Sequence, residues 1–296
     1  MSNITVSSVV KLHGVERSDS VATYAEVAAL VGRARQALSD KEMPAAADSA
    51  VGSLFAQADR LYREWQQGIA SDDIEMLMLA DEAARIAEAV LEAIEQPDTR
   101  ESIRRITASD MRLSTRQPSQ GKDALWELDL LLFLRRRGVE VLFKDPPDLE
   151  ITLPGVSCPY GIACKKVYSE KSLNRQFSKG LKQLRPYSGA GLVAFNLDDL
   201  TPERSLLRAP ARHDASDYLH KLNVAFIERH HRRFQNAVVE GLCDGVWIWS
   251  CVHADIPDLS PRFNRIAQNT IWTVSGVGEG RSIRPPAKDA LVEVAT

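Results

Sequence analysis

An α/β architecture behind a set of N-terminal helices is the fold class this sequence predicts, and three observations carry it. Through the first hundred positions apolar residues recur at the three- and four-residue spacing of amphipathic helices. From Asp123 the pattern becomes a helix, three short alternating strands, a second helix and a further strand. A chain of 296 residues, 44% hydrophobic and 26% charged, matches about two packed units of ordinary globular composition. The division is placed at Ser109, with a helical bundle over 1–108 and an α/β domain, extended by a C-terminal helix and strands, over 109–296.

Tyr24, Val27, Val31, Ala34 and Leu38 form the first apolar stripe. Val51, Leu54, Phe55, Ala58, Leu61, Tyr62 and Trp65 form the second, and Leu77, Ala80, Ala84, Ala87, Leu91 and Ile94 the third. Pro44 separates the first two helices, Gly68 ends the second, Ser71-Asp72 caps the third and Pro97 closes it. Such helices bury their stripes only against one another or against the rest of the chain. They display no site chemistry, so they read either as a plain bundle or as a surface for a protein partner or self-association.

Ser109 to Gln120 has the polar composition of a linker or a surface-crossing loop. Asp123 to Arg137 is helical with a strongly apolar body, and Gly138 is its stop. Val139 to Phe143, Asp148 to Leu153 and Tyr160 to Val167 alternate as strands, divided by turns at Pro146-Pro147 and Pro154-Gly155, and are expected to lie side by side. Ser172 to Tyr187 is a helix with Leu173, Phe177, Leu181 and Leu184 on one face, followed by a buried strand over Leu192 to Phe195. A long helix over Ala215 to Val239 and strands over Val246 to Val252 and Asn269 to Val274 complete the pattern. The Gly/Pro-rich tail after Gly276 is expected to be loosely held.

Composition excludes several classes. No apolar run approaches the ~20 residues a bilayer span needs, and the start lacks the basic region and apolar core of a secretory signal. A cytoplasmic protein without a membrane partner is therefore expected. Four cysteines with no CxxC pair are too few for a disulfide framework. The net charge of −3 conceals an asymmetry: 1–110 carries 11 Lys and Arg against 19 Asp and Glu, 111–187 carries 14 against 8, and 188–296 carries 12 against 13. A basic middle suits a local anion-binding surface, and a solvated basic face is the plainer alternative.

Four residues in that middle segment stand in an order that can carry hydrolytic chemistry. Glu127 lies on the first helix (WELDLL), Asp148 opens the second strand (PPDLEI), Lys165 lies on the third (IACKK) and Gln183 on the next helix (KQLRPY), with Tyr187 four residues on. Taken singly, Asp148 reads as a turn cap, Glu127 as a solvated helix position, and Lys165 and Lys166 as an exposed strand end. Together they resemble the PD-(D/E)xK nuclease superfamily, whose restriction-endonuclease-like core is a helix, a three-stranded meander, a helix and a strand. The resemblance covers roughly Gly121 to Asn196. It implies a nuclease hydrolysing phosphodiester bonds, with Glu127, Asp148, Lys165 and Gln183 in catalytic positions. It also implies Mg²⁺ or Mn²⁺ held by Asp148, Glu127 and the backbone carbonyl of Cys164. The implied partner is nucleic acid, DNA ahead of RNA, met by Lys166, Lys171, Arg175, Lys179 and Lys182.

The layout has a physical logic apart from the family. Phosphodiester hydrolysis needs charge neutralised at the phosphoryl oxygens and a hydroxide-like water, which a carboxylate-held divalent cation supplies, with a lysine beside that water. Strand parity puts residues 163 and 165 on one face and Ile162, Cys164 and Lys166 on the other, while Asp148 and Glu150 share a face of the preceding strand. The departure from the pattern is Ala163, where the superfamily carries an acid two residues before its lysine. Glu150, Glu170 and Glu127 are the acids that could compensate. Without compensation the chain is a catalytically inactive nuclease fold that serves as a nucleic-acid-binding or protein-assembly module.

Other motifs point less far. His230 and His231 with Cys243, Cys251 and His253 match no common zinc spacing. No GxSxG elbow is present. The GVGEG run beginning at Gly276 lacks the lysine of a phosphate-binding loop. Arg229, Arg232 and Arg233 could touch phosphates but equally form a solvated face, and Trp247, Trp249 and Trp272 read as core.

Overall fold

The structure, a computed structural model, describes residues 7–12, 23–69, 73–113, 115–153, 159–188, 190–259 and 262–274. Helices α1 (Tyr24–Asp40), α2 (Ala50–Gln66) and α3 (Ile74–Ala93) follow the three stripes. A capping box opens α1, where Thr23 and Glu26 each accept from the other's backbone N–H. Gly68 follows α2 at φ +76°, a left-handed backbone that glycine adopts without strain. Asp73 caps α3, while Ser71-Asp72, Pro154-Gly155 and the tail after Gly276 lie outside the described residues.

A fourth helix, α4 (Arg100–Ala108), appears where the sequence reading has none, because its buried residues Ser102, Ile103 and Ile106 are too few to register as a period. The polar segment after it runs as a loop, but a pinned one. Met111 is fully buried in it, and the buried ammonium of Lys122 donates to the carbonyls of Thr115 at 2.7 Å and Gln117 at 3.2 Å.

Helix α5 (Gln120–Arg136) is apolar on nearly every side because α3 and α4 cover one flank and the sheet covers the other. Gly138 ends it at φ +72°. Strands β2 (Glu140–Phe143), β3 (Leu149–Thr152) and β4 (Tyr160–Lys166) then form an antiparallel meander, as expected. Helix α6 (Leu173–Leu184) crosses over to β5 (Gly191–Asn196), which pairs parallel with β4. Both faces of β4 and β5 are covered, so both strands are buried almost throughout.

The short strand β6 (Leu206–Arg208), the helix α7 (Arg212–Val239) and the long strands β7 (Gly245–Asp255) and β8 (Phe263–Val274) complete the α/β layers. The mixed sheet runs β1-β8-β7-β5-β4-β3-β2, with β6 beside β7. Its first strand, β1 (Ser7–Leu12), pairs antiparallel with β8 from Ser7↔Val274 to Leu12↔Asn269. Neither β1 nor β6 was legible as a strand in the sequence, since each is short and completes itself only on a distant partner.

One buried cluster joins Val31 of α1, Phe55 of α2, Ile86 of α3 and Leu131 of α5 to Ile162 of β4 and Trp247 of β7. The N-terminal helices and one face of the sheet thus share a core. The opposite face carries a second cluster, with Phe177 of α6, Phe195 of β5, Phe226 and Phe234 of α7 and Trp272 of β8. On α6, burying Leu173, Phe177 and Leu184 contributes about 1.5–3 kcal/mol each. That helix lies close to the sheet, since a Cβ on Gly180 would stand 2.8 Å from a methyl of Val193.

Candidate active site

The register Leu149↔Ile162 and Glu150↔Gly161 carries Asp148 to the end of β3 beside Ala163 and Cys164. There its carboxylate collects three donors. The Cys164 backbone N–H donates to Oδ2 at 2.6 Å, the Lys165 ammonium donates to the same oxygen at 2.8 Å, and Gln183 Nε2 donates to Oδ1 at 2.9 Å. Lys165 also donates to the Cys164 carbonyl at 2.6 Å. The Asp148 and Lys165 side chains are 14% and 11% exposed, enough to be reached from solvent at one end while the pair is shielded by protein.

Strand parity explains who shares this place. Gly161, Ala163 and Lys165 face α6, for a Cβ on Gly161 would stand 2.9 Å from Leu184 and 3.4 Å from Tyr187. Ile162 and Cys164 face α5 in the other core cluster. Glu150, on the Asp148 side of β3, accepts from the Tyr187 hydroxyl at 2.5 Å and stands 3.7 Å from the Lys144 ammonium. Burial and then this carboxylate push the Tyr187 hydroxyl upward from its ordinary value. The positions Gln183 and Tyr187, one helical turn apart, therefore hold two successive acids of one strand.

Glu127 enters from α5. It is only 13% exposed, so the solvated-helix reading of this residue does not hold, and Arg105 of α4 donates to it at 2.8 Å. Burial, and next the charge of Asp148, push the Glu127 carboxyl up to about 7 against the pull of Arg105 and Lys165. One turn earlier on α5, Asp123 accepts from the Tyr168 hydroxyl at 2.9 Å, and burial raises it as well. Burial likewise raises the Cys164 thiol well above its usual range, leaving that residue's carbonyl as its contribution to the site.

Not all expected residues belong here. Lys166 is corrected: it is buried on the α5 side, 2.6 Å from Asp199 and donating at 2.9 Å to Asn196, so it is not available to a nucleic-acid backbone. The strand alternation that aims Lys165 at Asp148 necessarily aims its neighbour away. Arg175, Lys179 and Lys182 are exposed along α6, and Lys171 is exposed in the turn that leads into it. Glu170 is drawn off to Arg229, at 2.5 Å, rather than to Asp148. Ala163 is fully buried in the cluster that contains Phe177, Leu184 and Val193.

Two features escaped the sequence reading. Arg105 gave no local signal, because its partner Glu127 lies on another helix. The second is a buried ionic network between α3 and the sheet, where Asp81 lies 2.9 Å from His253 and 3.2 Å from Arg265, and Arg85 lies 2.5 Å from Asp129 and 3.6 Å from Asp198. Burial works to raise the Asp81 carboxyl, but Arg265 and His253 override it and hold the group below the ordinary carboxylate range. Its signal was available: Asp81, Glu82 and Arg85 are interleaved with Ala80, Ala83, Ala84 and Ala87 on the stripe that faces the core.

The histidine and cysteine positions do not converge. His253 pairs with Asp81 of α3, whereas His230 packs on Phe226 and Phe234 beneath the opposite face. Among the described residues no three His, Cys, Asp or Glu side chains come together to hold a metal. No helix among them is long and apolar enough to cross a membrane. Comparison with protein-family models, with curated proteins and with solved structures finds no match for this chain.

Proposed function

We propose that the chain is a divalent-cation-dependent nuclease of the PD-(D/E)xK kind, hydrolysing phosphodiester bonds of nucleic acid at Asp148. The observation that carries the reading is the convergence of Lys165, Gln183 and the Cys164 N–H on one carboxylate, with Glu127 close enough for Asp148 to raise its proton affinity. The order α5, β2, β3, β4, α6, β5 supports a restriction-endonuclease-like core, and these elements bring together residues that span 56 positions of sequence from Glu127 to Gln183.

The donors present suit a hard cation such as Mg²⁺ or Mn²⁺. The carboxylates of Asp148 and Glu127 and the Cys164 carbonyl are all oxygens, and Gln183 Oε1 is buried with no hydrogen-bond partner among the described residues. When bound, such an ion supplies charge neutralisation and an acidified water. Asp148 and Glu127 would hold it. Lys165 places a fixed positive charge where negative charge develops on the phosphoryl group, in surroundings that keep out most water. Gln183 keeps the Asp148 carboxylate from rotating. The exposed cations of α6 would meet the phosphate backbone, DNA ahead of RNA.

A second reading is favoured by one observation. Ala163 is sealed in the core where the superfamily has an acid, so the fold could bind nucleic acid or a protein, through the N-terminal helices, without cleaving. Incubating wild type and Asp148→Ala with Mg²⁺ or Mn²⁺ against plasmid, linear duplex, single-stranded DNA and RNA separates the two. Cleavage by wild type and none by Asp148→Ala is expected. Activity that survives the substitution excludes this site as its source, and a wild type that binds without cutting leaves the module reading in place.

A further inference from the structure

On the α7 side of the sheet the apolar core is interrupted. Phe226, Leu197 and Ile248 belong to the large cluster, whereas Leu219, Val252 and Ala254 form a separate one around β6 and the start of α7. Between them lies a cleft of about 280 Å³, open to solvent on one side and walled by Leu197, Leu207, Leu222, Phe226 and Val252. Protein interiors are otherwise packed to crystal density, and a gap of this size stands at the lower edge of the range of small-molecule sites, with room for a ligand the size of one substituted ring.

Two polar groups on its lining are unused. Asn223 is fully buried, and its Nδ2 donates to the Gln268 carbonyl and to Thr270 Oγ1, both at 3.2 Å. Those two bonds fix the amide's orientation, so Oδ1 is committed as an acceptor, and it has no partner among the described residues. Ser250 is 2% exposed, and its hydroxyl is likewise without a partner among them. A buried amide oxygen and hydroxyl left unsatisfied cost stability unless something completes them. At the rim, Arg229 is already engaged by Glu170, so no free cation among these groups awaits an anion.

We infer that this cleft is a binding site for a small uncharged molecule with an apolar body and a polar end bearing both a donor and an acceptor, as an amide or lactam edge does. The donor meets Asn223 Oδ1, the Ser250 hydroxyl serves the acceptor, and the leucines and Phe226 enclose the body. The site is independent of Asp148 and of the nuclease reading.

Benzamide is the probe, with ethylbenzene as an apolar control and benzoate as a charged one, each titrated into the full chain and followed by calorimetry and amide chemical shifts. Benzamide is expected to bind saturably and at least about fivefold more tightly than either control. Ser250→Ala should weaken benzamide about fivefold and leave ethylbenzene unchanged, while the unliganded protein melts no lower, because the hydroxyl removed had no partner. Leu222→Trp fills the cleft and should abolish binding, and Leu207→Phe serves if that variant does not fold. Failure of benzamide to saturate, equal affinity for benzamide and ethylbenzene, or binding that survives filling of the cleft overturns the proposal.

Discussion

Arg105 of α4 donates to Glu127 of α5 at 2.8 Å, so a helix of the N-terminal half holds the acid that feels the Asp148 charge from the other side of the sheet. The same guanidinium donates to Ser102 at 3.1 Å, which fixes its approach. The N-terminal helices therefore do more than share a core with the sheet: one of them sets the charge environment of the candidate site.

Removing that guanidinium should be felt twice. Arg105→Ala leaves Glu127 shielded from water without its counter-charge, at a cost of about 1–2 kcal/mol once the partial exposure of Arg105 is allowed for. If Arg105 acts on the chemistry only through Glu127, then Glu127→Gln and the double variant should cleave at the same rate. Urea unfolding gives the first quantity and a two-by-two cycle of cleavage rates the second. A double variant markedly slower than Glu127→Gln would show that Arg105 touches the substrate itself.

A pH-dependent contribution to stability should come from Glu82. It is 3% exposed, and burial, opposed by His253 and aided by Asp81, pushes its carboxyl from 4.5 up to about 7. Between those values the folded protein keeps a proton that the unfolded chain releases. The group's stabilising share is therefore full at low pH, falls as pH rises towards 7 and is flat above it. Glu82→Gln should match wild type near pH 5 and exceed it near pH 8 by on the order of 3 kcal/mol. Parallel unfolding curves at the two pH values check this, and a variant equally displaced from wild type at both would contradict it.

What could be read from the chain beforehand follows from where each signal resides. The α5-to-β5 unit was legible because its apolar periods are long and its turns carry Pro and Gly, and Asp148, Lys165 and Gln183 were singled out by the superfamily resemblance that this element order carries. Lys166 was misplaced because residue type alone suggests exposure, whereas Asn196 and Asp199, 30 and 33 positions on, supply the buried partners that make it tolerable. The Asp81 and Arg85 network was hard to read for the same reason, since its partners come from α5, β7, β8 and the turn after β5. A charged residue on an apolar stripe was the one local hint. β1 needed β8 to exist before it could be a strand at all.

The basic side of α6 should be separable from its fold. Lys171, Lys179 and Lys182 are exposed, while Leu173, Phe177 and Leu184 hold the helix to the sheet. Reversing the three charges should leave the melting curve unchanged and weaken binding to a short DNA duplex. The slope of log affinity against log salt should become shallower by about 2–3, as fewer counterions are released. A triple variant that binds duplex as well as wild type, with the same slope, would remove α6 from the interface.

The last expectation concerns Ala163. Seen from the sequence, Ala163→Glu restores an acid two residues before Lys165 and ought to improve the site. The structure argues otherwise, because position 163 is fully buried beneath α6, among Phe177, Leu184 and Val193, and the helix is already so close that Gly180 could not accept a methyl group without displacing Val193. A glutamate there must either bury a carboxylate in apolar surroundings or lift α6, and lifting α6 carries Gln183 away from Asp148. Ala163→Glu should therefore lose about 3 kcal/mol or more of stability and gain no cleavage in Mg²⁺. Ala163→Val separates the contributions: it adds volume without charge, and overpacking alone should cost about 1–3 kcal/mol. Urea midpoints for the two variants, with cleavage rates measured alongside, test the argument. An Ala163→Glu protein as stable as wild type and faster at cutting would mean that α6 yields easily and that the missing acid, not the packing above it, limits the site.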